Sequence, residues 1–328
     1  MNDFRTELIP PQSASPINLK DKIFTIGSCF ADAMGKHLLE NKFESNNCFG
    51  TVYNPVSIHQ LLLFGLEQEL PSPASYLENE GIHFNYDFHS SFSSLQKKGL
   101  ENKIETKIAA ANQFLKTANR IIITYGTAFV YKRKDTNAIV ANCHKLAASH
   151  FIKILLTEYE IVESFQKVYS KLKLSNPNCK IILTASPVRH LKDTLELNAV
   201  SKSILRLSCH SIVQQFSDVE YFPAYEILLD DLRDYRFYKT DRLHPTDEAI
   251  EYIWKKFTDS YFNEPTKKFI NDWKEIKKDL HHKPFQPQSA SHQKFLKSTL
   301  IKLEKLNSVA NMIDEIKNLK SQIVNHKS

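Results

Sequence analysis

No two cysteines of this chain are spaced C-x-x-C, and none of its thirteen histidines form an H-x-x-x-H pair. Zinc favours ligands paired at such short spacings, so neither a metal nor another cofactor is expected. The five cysteines (Cys29, Cys48, Cys143, Cys179 and Cys209) are odd in number and scattered. That excludes a disulfide framework and fits a reducing cytoplasm. No apolar run approaches the roughly eighteen residues that signal a membrane span. The opening string MNDFRTELIPPQSAS lacks the basic-then-apolar order of a secretory signal. Strong charge is missing too. With 43 Lys and Arg against 37 Asp and Glu, the net charge is +6 and the pI about 8.8, too mild an excess for a nucleic-acid binder. The cluster Lys267, Lys268, Lys274, Lys277 and Lys278 reads as a solvated helix face. What is present is ordinary for a globular protein: 42% hydrophobic and 24% charged residues, in 328 residues that allow one large domain with an appendage.

Four short apolar runs read as buried parallel strands: 22–26 (KIFTI), 121–125 (IIITY), 180–184 (KIILT) and 219–222 (VEYF), with a weaker candidate at 43–49. Helical spacing follows the first strand at Phe30, Met34, Leu38 and Leu39, and recurs over 55–66, 104–118, 151–174, 198–216 and 246–261. Strand and helix in alternation predict crossover units, hence a five-stranded parallel sheet in a flavodoxin-like three-layer α/β/α sandwich. Residues 67–100 break the rhythm, and their alternating aromatic and polar centre predicts a small hairpin or lid. Past residue 262 the expected division is a basic, proline-bearing linker over 263–292 and an amphipathic helix or helical hairpin over 293–328. That last region either lies back on the domain or pairs with a second copy as a homodimer.

Two strings carry chemistry. In Gly27-Ser28-Cys29-Phe30-Ala31 a strand gives way to a helix within two residues. A hydroxyl there sits at a helix N-terminus, where free N–H groups favour the anion that an attacked acyl group becomes. In Thr240-Asp241-Arg242-Leu243-His244-Pro245, Asp241 stands three residues before His244, just ahead of the last helix of the domain. The expected roles are Ser28 as nucleophile, His244 as the base that takes its proton, and Asp241 as the group that orients the imidazole. Cys29 is expected to turn inward as a small apolar filler. His89, His144 and His190 adjoin loops of the same edge and are expected at the substrate.

The string GSCFA at residues 27–31 resembles the signature of the GSCFA family of the SGNH/GDSL hydrolase superfamily. FGTVYNP (49–55), FHSSFS (88–93), TYGTAFVY (124–131), NCHK (142–145), ASPVRH (185–190) and DRLHPT (241–246) resemble its other blocks, in order, over residues 5–262. The resemblance implies a sheet ordered 2-1-3-4-5 with an ester-cleaving or acyl-transferring site at its C-terminal edge. It implies an oxyanion hole from the N–H of Ser28, the N–H of Gly50 and an Asn amide. The chain departs from the pattern at the Asn, because the place of Gly-x-Asn-Asp reads Gly126-Thr127-Ala128-Phe129. Loss of one such donor costs about a hundred- to a thousandfold in rate, so a replacement is expected. Asn142 is the first choice and Asn54, ahead of Pro55, the second. The implied activity is a serine esterase or deacylase working through an acyl-serine on a small-molecule or glycan acyl ester, an O-acetylated sugar being one case. Two alternatives stay open: an acyltransferase on the same residues, and a binding or scaffold protein on a degenerate hydrolase fold.

Overall fold

The computed structural model describes residues 6–323. Five strands form an all-parallel sheet: β1 (Lys22–Gly27), β2 (Glu44–Asn46), β3 (Arg120–Tyr125), β4 (Lys180–Ala185) and β5 (Val219–Tyr221), in the order β2-β1-β3-β4-β5. Alternate residues along each central strand point to opposite faces. Phe24, Ile26, Ile121, Ile123, Ile181 and Leu183 enter one core, and Ile23, Ile122 and Ile182 enter the other. Helices α2 (Pro55–Glu67), α3 (Lys97–Leu115), α4 (Glu158–Ser175) and α5 (Thr194–Gln215) cover the first face, and α1 (Cys29–Glu40) and α6 (Asp247–Tyr261) cover the second. Burial on both sides is why these strands read as unbroken apolar runs. Each buried Ile or Leu contributes about 1.5–3 kcal/mol. The architecture is the expected flavodoxin-like three-layer sandwich, and it gathers the C-terminal ends of all five strands on one edge.

Residues 67–100 do hold a hairpin. Tyr76–Asn79 pairs antiparallel with Ile82–Asn85 around Glu80 and Gly81, which take φ of 52° and 75°. Two successive positive φ angles are what a tight two-residue hairpin turn requires. A second small sheet joins Phe129–Arg133 to Ile139–Val140 and to Phe151–Leu155. Residues 151–155 were expected in a helix and form a strand instead. The cause is Thr157, whose Oγ1 accepts from the Glu160 N–H while the Glu160 carboxylate accepts from the Thr157 N–H. This reciprocal cap starts α4 at Glu158 and leaves the preceding residues to pair in the sheet.

Within the stretch expected as a linker, α7 (Glu264–His281) forms. Its many lysines conceal an apolar stripe, Phe269, Ile270, Trp273 and Ile276, that is buried with Leu38 of α1 and with Trp254 and Phe257 of α6. Then α8 (Ala290–Leu306) and α9 (Ile313–Lys320) make a helical hairpin, whose Leu296, Leu303, Leu306, Met312 and Leu319 join the same core. Of the stripe that sequence offered to a second copy, Leu296, Leu303, Leu306 and Leu319 are covered by the chain itself, while Val309 and Ile313 are exposed. The Trp273 Nε1–H donates to the Glu40 carbonyl at the end of α1, at 2.8 Å. Trp273→Phe keeps most of the ring and orphans that carbonyl, so the urea midpoint should fall by the equivalent of about 1 kcal/mol. An unchanged midpoint would show that α7 docks through ring packing alone. Among the described residues no helix is long and apolar enough to cross a membrane.

Candidate active site

Strand β1 ends at Gly27, whose φ is +134°. A Cβ there would lie 2.1 Å from the Thr124 carbonyl oxygen of β3, so no side chain fits. The Ser28 N–H donates to the same Thr124 oxygen at 3.1 Å. Ser28 is the N-cap of α1, its Oγ accepting from the Phe30 N–H at 3.3 Å, and it has 0% exposure. Cys29, the first residue of α1, is half-buried. It lines a cleft of about 480 Å³ together with Phe30, Val188, Lys239, His244 and Pro245. Sequence placed Ser28 outward and Cys29 inward; in the structure Ser28 has no exposed surface and Cys29 is half-buried beside the cleft. A capping hydroxyl must fold back over the first turn to reach the N–H two residues on.

Asp241 and His244 meet as expected. The Asp241 Oδ2 lies 2.7 Å from His244 Nδ1, while Oδ1 accepts from the Leu243 N–H at 2.8 Å and the His244 N–H at 3.0 Å. These bonds, the Leu243 N–H foremost, hold the Asp241 carboxyl down to about 2. With Nδ1 donating to Asp241, the lone pair sits on Nε2, which has no partner among the described residues. The loop is pinned at several points: the Lys239 N–H donates to the His244 carbonyl (2.7 Å) and the Arg189 N–H to the Leu243 carbonyl (3.2 Å). The Arg189 guanidinium also lies 3.9 Å from the Tyr238 ring centroid. The side chains of Asp241 and His244 are 44% and 43% exposed, so water reaches the pair. His244 and the Ser28 hydroxyl do not hydrogen-bond to each other; Ser28 Oγ is held by Phe30 alone.

The remaining expected residues divide. Gly50 has φ +70°; its neighbour Thr51 pairs with Gly27, and the Val52 N–H donates to the Gly27 carbonyl at 2.8 Å, which seats this loop beside the end of β1. Asn142 is turned to its own loop, with Oδ1 accepting from the His144 N–H at 2.8 Å and its N–H directed to the Tyr86 carbonyl at 3.3 Å. Asn54 is the N-cap of α2, with Oδ1 accepting from the Ser57 N–H at 2.8 Å and Nδ2 directed to Ser57 Oγ and the Val140 carbonyl. His89 bonds to Ser91 at 3.0 Å. His144 is buried, stacked on Phe84 with its Nε2 2.8 Å from the Asn85 carbonyl oxygen. Neither of these two contacts Cys29 or His244. His190 adjoins the site: its ring meets Tyr53 edge-on at 5.4 Å, and its Nε2 is buried without a partner. Burial first, then the charges of Lys202 and His244, push His190 down to about 3.

Lys202 escaped the sequence reading. Its Nζ donates at 2.7 Å to the carbonyls of Gly126 and Ser186, just past the ends of β3 and β4, and it is 1% exposed. Its helical spacing with Leu205, Cys209 and Ile212 on the inner face of α5 was the available signal. Burial pushes the ammonium down to about 7. An unfolded Lys holds its proton to about 10.4, so between these values the unfolded chain binds more protons and stability rises with pH. The stability difference between wild type and Lys202→Met should therefore rise from pH 7 to 8.5 by up to about 1.4 kcal/mol per unit. Urea titrations at several pH values read this, and a flat difference contradicts a neutral buried amine.

A family model described as GSCFA family matches residues 22–257, and a second, described as GSCFA domain protein, C-terminal domain, matches residues 273–325. No curated protein matches. Among solved structures, "The structure of a putative platelet activating factor from Streptococcus pneumonia" is similar over 75% of this chain and 86% of that chain, at 12% identity and a TM-score of 0.40.

Proposed function

We propose, from the premise that this chain belongs to the GSCFA family, that it is an ester hydrolase working through a covalent acyl-enzyme at the end of β1. The observation that carries the reading is the Asp241–His244 pair, joined at 2.7 Å, whose histidine lines one cleft with Cys29 and Phe30 of the first turn of α1. The attacking group is Ser28, in the turn between β1 and α1. His244 takes its proton through Nε2 and returns one to the leaving alcohol, while Asp241 keeps the imidazole in the tautomer that leaves Nε2 unprotonated. The acyl oxygen is received by the Cys29 N–H at the start of α1 and by the Gly50 N–H, because the Ser28 N–H is engaged by the Thr124 carbonyl. His190 and Tyr53 form the wall nearest the substrate.

Hydrolysis is favoured over acyl transfer to an alcohol because transfer requires water to be kept out, and the catalytic pair is 43–44% exposed. The substrate class is an acyl ester, with O-acylated carbohydrate as the case to try first. The test is hydrolysis of short p-nitrophenyl esters by wild type and by His244→Ala. A rate well above the variant's supports the reading, and equal rates remove it in favour of a binding protein on this fold.

A further inference from the structure

We infer that the substrate is a neutral glycan chain several sugars long, held in a groove that runs from His244 between α1 and α6 to α7. The acyl chemistry rests on the hydrolase proposed above; the groove does not. Two clefts make the groove. The first, of about 480 Å³, is lined by His244 and Cys29. The second, of about 1010 Å³, lies at the far ends of α1 and α6 against α7, and alone reaches the upper limit of about 1,000 Å³ for a small-molecule site. His37, Glu40 and Glu251 line both, so the clefts meet at these three side chains.

Residues four apart share one face of a helix. Cys29, Ala33, His37 and Asn41 form one wall along α1, and Asp247, Glu251, Lys255 and Asp259 form the facing wall along α6. The 12 residues of α1 make that wall about 18 Å long, longer than a single acetylated sugar. Where the clefts meet, the His37 ring is stacked on Trp254 at 5.1 Å, with Nδ1 4.0 Å from Glu251 Oε2. Glu251 Oε1 accepts from Lys274 Nζ of α7 at 2.6 Å, which ties α7 to the same point.

The chemistry of the walls selects the ligand. Their charges are matched in pairs: Lys36 with Glu40 at 3.7 Å, Lys239 with Asp247 at 3.3 Å and Lys274 with Glu251 at 2.6 Å. Burial, against the pull of Glu251 and Glu40, pushes His37 below its usual value, so that ring is neutral at pH 7. A matched groove has no field of one sign to draw in a polyanion. Its carboxylates, ammonium groups and the amides of Asn41 and Asn271 offer both acceptors and donors, which suits a chain that carries hydroxyls on every unit. Contacts to sugars beyond the acylated one then supply binding that lowers the barrier at the ester.

The full chain is tested with O-acetylated xylo-oligosaccharides of one to six sugars. The kcat/KM per acetyl group should rise at least about tenfold from one sugar to six, and the double variant Glu40→Ala with Asn271→Ala should lose most of that rise. The deacetylated hexasaccharide should shift the fluorescence of the chain's two tryptophans, Trp254 and Trp273, and should bind at least about tenfold more weakly to the double variant. Esters of one and six sugars cleaved equally well overturn the inference and leave the hydrolase intact. Hexasaccharide binding that the double variant weakens, in a chain that cleaves no ester, overturns the hydrolase and supports the groove. Binding of polygalacturonate that high salt abolishes, with none of the neutral hexasaccharide, overturns the neutral chain.

Discussion

Ester hydrolysis by His244→Ala is expected to run about 10⁴-fold slower than by wild type, with Asp241→Asn close behind, because removing either member of such a relay leaves only binding and the oxyanion donors. The two losses should not multiply in the double variant, since the pair acts as a unit. The Asp241 carboxyl is held down to about 2. A carboxylate with a lowered folded value stays ionised until pH falls through that value, so the acid limb of the rate profile does not belong to Asp241. Asp241→Asn should thus lower the whole profile from pH 5 to pH 8, since the carboxylate is ionised throughout that range. Rates of kcat/KM across that range check this. An Asp241→Asn chain as fast as wild type would mean that the carboxylate does not serve His244.

Gly27→Ala should be the most damaging single change to the fold. The added Cβ would sit 2.1 Å from the oxygen, 2.8 Å from the carbon and 2.9 Å from the nitrogen of Thr124, all backbone atoms of a central strand. Nothing there is a flexible side chain that can give way, and the φ of +134° is itself closed to alanine. A loss of about 4 kcal/mol or more is expected, out of the 5–15 kcal/mol that typically holds a domain together. Gly81 is the control: its φ is +75° with nothing within 4 Å, so Gly81→Ala should cost only about 1–2 kcal/mol. Urea unfolding of the two variants separates a steric clash from backbone strain. A Gly27→Ala chain as stable as Gly81→Ala would mean that β1 and β3 do not approach as described.

Much of this was legible from residue order alone. The sheet could be read because β1, β3 and β4 are buried on both faces, which forces unbroken apolar runs and leaves no alternative period. The run 151–155 was misread because five apolar-rich residues fit helix or strand equally. The Thr157 and Glu160 pair, visible in the string TEYE, marked the true helix start. Helix α7 was hidden by composition: Lys268, Lys274 and Lys278 face water while Phe269, Ile270, Trp273 and Ile276 carry the packing. At the site, the three-residue spacing of Asp241 and His244 was enough, because one turn brings such side chains together. That Ser28 would be fully buried as the cap of α1 was not legible. That depends on where the capping hydroxyl turns, and either residue can in principle begin a helix.

The account stands on a relay that activates a group in the turn between β1 and α1. The most direct measurement is peptide mapping by mass spectrometry after brief mixing of p-nitrophenyl acetate with wild type and with His244→Ala. One acetyl group is expected on the peptide holding residues 27–31, at Ser28, with far less in the variant. Acetylation spread over surface lysines and equal in both proteins would contradict it.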